Sequence, residues 1–307
     1  MRDQPRFNRR EMLRGMAAAG AAAVFGPRLG LGQDSPVVTR RIPKTSEELP
    51  VVGLGSWGVF NVGDDTAARD QCTEVIRAFL GAGGRTIDSS PMYGSSQQTI
   101  GYAYERLNRP ATLWSADKVW INSGSQGPKQ IEESRQAWGI SRFDLLQVHN
   151  LMAWEAHLPT LFAMKAAGGL RYVGITTSHG RRHEEIEQVM RSEPIDFVQV
   201  TYNIADREVE DRILPLARDK GIAVIINRPF QRGDLLRHFG GKTLPAWASE
   251  FDCAGWPQFL LKFIVSHPAV TLAIPATSSV QHVRENLGAA RGRMPDEAMR
   301  RRMVALL

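Results

Sequence analysis

Short apolar runs alternate with amphipathic stretches along most of the 307-residue chain, beginning near residue 50. The short runs are rich in Val, Ile and Leu without a clean polar alternation, which is typical of parallel strands buried on both faces. We predict eight strands: Val51–Gly55, Thr86–Ser90, Thr112–Ala116, Phe143–His149, Arg171–Thr176, Phe197–Tyr202, Ala223–Asn227 and Thr271–Pro275. Apolar residues at helical spacing predict helices between them: Ala67–Gly81, Ser95–Leu107, Pro128–Trp138, Glu155–Ala167, Arg182–Met190, Val209–Lys220 and Trp256–Ser266.

Strands that alternate with helices form a parallel sheet with right-handed crossovers. Eight such units within about 250 residues predict an α/β fold of the closed (β/α)8 or TIM barrel type. No linker rich in Pro, Gly or Ser divides residues 34–307, so we expect a single barrel domain there. The rival fold is an open doubly wound sheet. Gly53–Gly58 has nearly the glycine spacing of its phosphate turn, but no acidic residue ends the second strand in the ribose-binding manner.

The composition is that of a soluble globular protein, with 43% hydrophobic and 23% charged residues. These fractions exclude a disordered chain, a collagen-like repeat and a disulfide scaffold. No apolar run reaches the roughly 18 to 20 residues that a membrane-spanning helix needs. The two cysteines, Cys72 and Cys253, have no metal-ligand spacing, and we expect free thiols.

Most of the net charge of +6 lies at the N-terminus, where residues 1–33 carry +4 and leave +2 for the remainder. That remainder is too small to indicate a nucleic-acid surface. Arg9 and Arg10 precede a soft apolar stretch, Gly15–Gly26, and the segment resembles a twin-arginine (Tat) export signal. The resemblance implies recognition by the Tat export machinery and a periplasmic location. The other interpretation is a solvated basic tail.

Four reactive side chains occur at or near the ends of three consecutive predicted strands, where barrel enzymes carry their chemistry. They are Asp88, Tyr93, Lys118 and His149. Each residue alone has a structural explanation, such as a cap or a satisfied core imidazole. A tyrosine has an ordinary pKa of about 10, which a nearby ammonium lowers while a carboxylate holds that ammonium in place. Together the four suit general acid catalysis of carbonyl reduction.

The motif Asp88–Gly94, the lysine at 118 and the segment Leu146–Asn150 resemble signature sequences of the aldo-keto reductases. The likeness extends from about Arg41 to Leu287 and covers nearly the whole chain beyond the leader. It implies NAD(P)H-dependent reduction of an aldehyde or ketone, with the hydride coming from the nicotinamide.

The resemblance also assigns roles to residues. Tyr93 would donate the proton, Lys118 and Asp88 would lower its pKa, and His149 would position the carbonyl of a small-molecule substrate. Gln199 would contact the nicotinamide carboxamide. The positions expected to bind the cofactor are Gly55, Trp57, Thr176, Thr177, Gln199, Arg228, Pro229, Phe230, Ser278, Ser279, His282, Glu285 and Asn286.

Two departures from the family pattern concern the cofactor. Asn227 stands where the family commonly has an aromatic residue that stacks on the nicotinamide, so either another aromatic stacks there or the cofactor is held differently. Ala276 and His282 replace basic residues that many NADPH-preferring members place on the 2′-phosphate, and neighbouring serines with Arg284 could substitute in part. We expect a weak preference for NADP(H) over NAD(H).

Two other functions fit part of the pattern. A nucleotide-binding sensor or regulatory subunit would use the same barrel with little turnover, and the missing aromatic at Asn227 favours it. A metal-dependent barrel hydrolase would need paired histidines at an early strand end, and Gly53–Trp57 contains none. We therefore expect no metal site.

Overall fold

The structure, a computed structural model, describes residues 35–307. The predicted export signal, residues 1–33, lies outside the described residues. Within the described part, no helix has the length and apolar character needed to cross a membrane. Cys72 and Cys253 are both buried free thiols, and burial raises the pKa of each to about 11.

Strands and helices alternate along the described chain. The strands are β1 (Thr39–Arg41), β2 (Glu48–Pro50), β3 (Leu54–Gly55), β4 (Thr86–Asp88), β5 (Trp114–Val119), β6 (Phe143–His149), β7 (Leu170–Thr176), β8 (Phe197–Thr201), β9 (Ala223–Asn227) and β10 (Leu272–Ala273). The helices are α1 (Thr66–Gly81), α2 (Ser96–Arg106), α3 (Gly127–Trp138), α4 (Trp154–Ala166), α5 (His183–Ser192), α6 (Ile213–Lys220), α7 (Asp234–Phe239), α8 (Trp256–Val265), α9 (Val280–Gly288) and α10 (Glu297–Val304).

The strands from β3 to β10 lie side by side in chain order, and each neighbouring pair is parallel. Two parallel bridges close this sheet on itself, because Val52 pairs with Ala273 and Gly55 pairs with Ala276. A Cβ atom on Gly55 would lie 2.8 Å from the Ile274 carbonyl oxygen, so the seam needs a glycine there. The fold is therefore the predicted α/β (β/α)8 barrel.

The buried side chains form two layers. Alternate strand residues, among them Trp114, Phe197 and Leu272, make a cluster that fills the inside of the barrel. Ile42 and Leu49 from the β1–β2 hairpin belong to the same cluster, so the hairpin closes the end where the strands begin. A larger cluster packs between strands and helices. The hairpin does not cover the opposite end, where the strands finish and where barrel proteins carry their functional sites.

The clearest difference from prediction concerns the third barrel strand. The apolar pattern predicts Thr112–Ala116, but the strand runs over Trp114–Val119. Asp117 and Lys118 interrupt the apolar run in the sequence, yet both are fully buried in β5. The polar residues therefore belong to the strand itself and face opposite sides of it.

Candidate active site

Side chains from four barrel strands meet where the strands finish. Asp88 is the last residue of β4, and His149 is the last residue of β6. Lys118 is next to last in β5, and Gln199 lies in the middle of the short strand β8. They line or underlie a cavity of about 350 Å³. All four predicted reactive residues, including Tyr93 in the loop after β4, therefore belong to one site.

The base of the site is a buried ion pair. The Lys118 Nζ lies 2.6 Å from Asp88 Oδ2, and it also donates to the Ser89 carbonyl at 2.7 Å. The other carboxylate oxygen of Asp88 accepts the side-chain amides of Gln199 at 2.9 Å and Gln147 at 3.3 Å. Both charged groups are nearly inaccessible to solvent, with side-chain exposures of 0% and 3%. Asp88 is thus held by three donors.

The ammonium stays charged despite its burial. Burial alone lowers the pKa of Lys118, but the charges of Asp88 and Tyr93 and the bond to Asp88 raise it, so that the pKa lies above its ordinary value. A buried cation without such a partner would lose its proton instead. Lys118 is therefore a fixed positive charge beneath the cavity.

Tyr93 lies in a short 3-10 turn, Pro91–Tyr93, with Lys118 Nζ 5.2 Å from the centre of its ring. Burial raises the pKa of Tyr93, and the ammonium of Lys118 lowers it by a smaller amount. The charge of Asp88 raises it directly, contrary to the expectation that Asp88 and Lys118 together bring it down. The net pKa lies above the ordinary value, and the phenol is protonated at neutral pH.

His149 is a neutral imidazole beside the phenol. Its ring lies edge-on to that of Tyr93, with centroids 5.7 Å apart and planes at 87°. Its Nδ1 is 2.7 Å from the Ser90 hydroxyl. Burial, followed by the nearby charge of Lys118, brings the pKa of His149 well below its ordinary value. The ring can therefore offer a hydrogen bond to a ligand but no proton at neutral pH.

Asp117 is a second buried carboxylate that sequence reasoning did not single out. It faces away from the cavity and accepts hydrogen bonds from Gln97, Trp138 and the Lys118 backbone. Burial raises its pKa to about 7. Its hydrogen bonds to Gln97 in α2 and Trp138 in α3 hold β5 against these two helices.

The cavity wall contains many of the predicted cofactor residues. Those that line it are Gly55, Trp57, Thr176, Gln199, Arg228, Pro229 and Phe230. The structure adds lining residues that were not predicted: Ser56, Met92, Asn150, Ser178, His179, Arg232 and Leu236. Most lie in the loops that follow barrel strands, so the rule that locates barrel active sites could have found them.

Other predicted positions lie outside this lining. The Thr177 carbonyl accepts Asn227 Nδ2 at 2.8 Å, whereas its buried hydroxyl has no partner among the described residues. Five positions lie just before or within α9: Ser278, Ser279, His282, Glu285 and Asn286. The Ser279 side chain caps this helix by accepting the His282 amide. Contact of these residues with the cofactor stays a prediction.

Two arginines on the loop after β9 line the cavity, and neither forms an ion pair with a carboxylate among residues 35–307. The Arg232 guanidinium lies 4.4 Å above the ring of Trp57, and Arg228 contacts the His179 ring. Burial and the charge of Arg232 both lower the pKa of Arg228. Guanidinium groups are well matched to phosphate oxygens. The residues of the cavity therefore fit an anionic dinucleotide.

Asn227 stands at the position where the resemblance leads us to expect a stacking aromatic residue. Both ends of its side-chain amide are hydrogen-bonded to other protein groups. Its Oδ1 accepts the Thr201 hydroxyl at 2.7 Å, and its Nδ2 donates to the Thr177 carbonyl. The aromatic residues that line the cavity are Trp57, Tyr93 and Phe230. If another aromatic residue stacks on the nicotinamide in place of position 227, it would have to be one of these three.

Comparison with known proteins identifies the family of this chain. The model of the aldo/keto reductase family matches residues 51–303. The NADH-specific methylglyoxal reductase of Escherichia coli is 25% identical over 229 residues, which cover 63% of this chain and 68% of that protein. The thermostable aldo-keto reductase Tm1743, solved with the inhibitor epalrestat, is 26% identical with a TM-score of 0.74, over 88% of this chain and 100% of that one.

An aldo-keto reductase of Klebsiella pneumoniae, solved with NADPH, has a TM-score of 0.70 and 22% identity, over 89% of this chain and 95% of that one. The chain belongs to the aldo/keto reductase family. It is an NAD(P)H-dependent oxidoreductase that reduces carbonyl groups. Family membership favours this activity over the nucleotide-binding sensor.

Proposed function

We propose that Tyr93 gives the proton to the carbonyl oxygen of an aldehyde or ketone while His149 orients that oxygen. The observation that carries this proposal is the buried pair of Lys118 and Asp88, with Nζ and Oδ2 2.6 Å apart, beneath a protonated phenol at the cavity. The bound nicotinamide supplies the hydride. The products are an alcohol and the oxidised cofactor.

The fixed charge of Lys118 explains how a phenol with a raised pKa can act as an acid. Negative charge develops on the Tyr93 oxygen as its proton leaves, and an ammonium already in place stabilises that charge without reorganisation. Asp88 acts through Lys118 by keeping the ammonium charged and oriented. Proton transfer by a positioned group typically contributes about 10² to 10⁴ to the rate.

The same cavity would hold the cofactor through two groups of residues. Gln199 is oriented by its bond to Asp88, and its Oε1 accepts the Thr176 hydroxyl at 3.2 Å, which places both beside the cavity for a carboxamide. Arg228 and Arg232 would contact the diphosphate. We propose a weak preference for NADP(H), although one relative is described as NADH-specific.

The activity test uses purified protein, NADPH or NADH, and a panel of aldehydes and ketones. We expect nucleotide oxidation that depends on the carbonyl, with the lower KM for NADPH. Quenching of tryptophan fluorescence measures nucleotide binding separately. Micromolar binding without turnover over a broad panel would contradict the reductase and support a nucleotide-binding sensor.

We also propose that the chain is exported to the periplasm by the Tat machinery after folding, with its cofactor already bound. The support is the pattern of residues 1–33, in which Arg9 and Arg10 precede a soft apolar stretch. Replacing both arginines by lysine should leave the protein in the cytoplasm, as cell fractionation would show. Periplasmic protein of this double variant would contradict the proposal. Native mass spectrometry of the exported protein should reveal a retained nucleotide.

A further inference from the structure

Ser90 connects the two groups that are proposed to contact the carbonyl. It is completely buried and lies in the loop that carries Tyr93. Its hydroxyl oxygen accepts the Met92 amide at 3.2 Å, which caps the turn Pro91–Tyr93. The same oxygen lies 2.7 Å from the Nδ1 atom of His149. One side chain thus fixes the turn before Tyr93 and touches the imidazole.

The hydrogen bonds around this hydroxyl determine where the imidazole proton lies. A serine hydroxyl has one proton to donate, and its oxygen can accept two bonds. The Met92 amide uses one accepting position. Apart from His149 Nδ1, the Ser90 hydroxyl has no acceptor among the described residues. If Nδ1 carried a proton and donated it, the serine proton would be buried without a partner, which is costly.

The other direction satisfies both the Ser90 hydroxyl and the Nδ1 atom of His149. The Ser90 hydroxyl donates to the Nδ1 lone pair, and the proton of the neutral ring then lies on Nε2. His149 lines the cavity, and its Nε2 has no protein partner within residues 35–307. An unpaired N–H at the cavity wall can donate to a carbonyl oxygen. The alternative tautomer would present a lone pair there and repel that oxygen.

We propose that Ser90 is a positioning residue that holds His149 in the Nε2–H tautomer. The role of the tautomer in orienting the carbonyl rests on the proposed function, but the tautomer itself is a property of the protein alone. A side chain without a hydroxyl at this position would leave the imidazole free to populate both tautomers. Substrate orientation would then be lost in part of the molecules.

The direct test is ¹⁵N NMR of the full protein labelled at histidine, because protonated and unprotonated ring nitrogens have very different shifts. We expect His149 of the wild type to show a protonated Nε2 and an unprotonated Nδ1. The signals are assigned by their loss in a His149→Asn variant. A wild-type spectrum with the proton on Nδ1 would overturn the proposal, whatever any variant does.

Ser90→Ala adds a kinetic test. We expect a mixture of tautomers, a fall in kcat/KM for carbonyl reduction of about tenfold or more, and unchanged nucleotide affinity. The matched control is Ser134→Ala, another buried serine, whose hydroxyl accepts Gln97 behind the barrel wall. Ser90→Ala with wild-type activity and an undivided Nε2–H tautomer would contradict the proposal. If this variant does not fold, the wild-type spectrum still decides.

The positioning role of Ser90 and the proposed function can fail separately. A wild type with the Nε2–H tautomer, a mixed tautomer in Ser90→Ala and no carbonyl reduction by either protein would remove the proposed function and leave the positioning role. Carbonyl reduction with the proton on Nδ1 would do the reverse.

Discussion

Burial and charge act against each other on the Tyr93 phenol. Burial raises its pKa more than the Lys118 ammonium lowers it, so the structure holds the group in its protonated form. A group that donates a proton during carbonyl reduction must be protonated before the reaction. The ammonium then stabilises the negative charge that develops on the oxygen as the proton leaves. His149 cannot replace it as an acid, because its pKa is far below neutrality.

This balance predicts the alkaline side of the pH profile. Carbonyl reduction requires protonated Tyr93, whose pKa lies above the ordinary value of about 10. The rate at saturating substrate should therefore stay level from about pH 8 to about pH 9 and fall to half only above about pH 10. Circular dichroism over the same range controls for unfolding. A decline centred near pH 8 would mean that Lys118 dominates over burial.

At the scale of elements, the loop after β9 carries the cations that face the cavity. Arg228 and Arg232 both have positive φ angles, 52° and 57°, which non-glycine residues rarely adopt. The chain bends sharply there and presents both guanidinium groups to the same space. Neither forms an ion pair in the described part of the chain, although the charges of Asp206 and Asp234 act on Arg228 and raise its pKa against the larger effect of burial.

Removing these cations should weaken nucleotide binding. We expect Arg228→Ala and Arg232→Ala each to raise the Kd for NADPH about tenfold, because a charge-assisted hydrogen bond is worth about 1.5 to 3 kcal/mol. Arg237→Ala is the control, since Arg237 is exposed and pairs with Asp234 on α7. Fluorescence titration measures all three. Unchanged affinity in both loop variants would contradict the assignment of this loop to the diphosphate.

Sequence periodicity predicts the elements well where they are uniformly apolar. Phe143–His149 and Ala223–Asn227 are strands with the predicted bounds. The predicted bounds of β5 are wrong because its polar residues are buried against partners from other elements, which periodicity cannot show. The contribution of Ser90 was missed for a similar reason, since its partner His149 lies 59 positions away. The strand-end rule located the reactive set, but only the structure reveals the contacts.

Across the whole molecule, stability and chemistry are placed at opposite ends of the barrel. The β1–β2 hairpin packs Ile42 and Leu49 into the interior cluster where the strands begin. The Glu47 carboxylate connects the hairpin to β7, because it accepts hydrogen bonds from the Arg171 guanidinium and the Tyr172 hydroxyl. In TIM barrels this face serves stability, whereas the other face carries the active site.

This division predicts a variant that loses stability without losing function. Leu49 is fully buried, and Leu49→Ala should cost about 2 to 5 kcal/mol of unfolding free energy. The KM for the carbonyl and the Kd for NADPH should be unchanged well below the unfolding temperature. Leu307→Ala, at a position 54% exposed, should change stability by less than about 0.5 kcal/mol. Urea unfolding and steady-state kinetics test both, and a parallel fall in nucleotide affinity would contradict the separation.

The central claim is that the Tyr93 hydroxyl supplies the proton, and single-turnover reduction by Tyr93→Phe tests it most directly. We expect the rate of NADPH oxidation with a saturating carbonyl to fall by at least about 100-fold, with nucleotide affinity intact. Tyr102→Phe removes a hydroxyl that bonds to Asp70 outside the cavity, and it should react at the wild-type rate. Wild-type turnover by Tyr93→Phe would contradict the account.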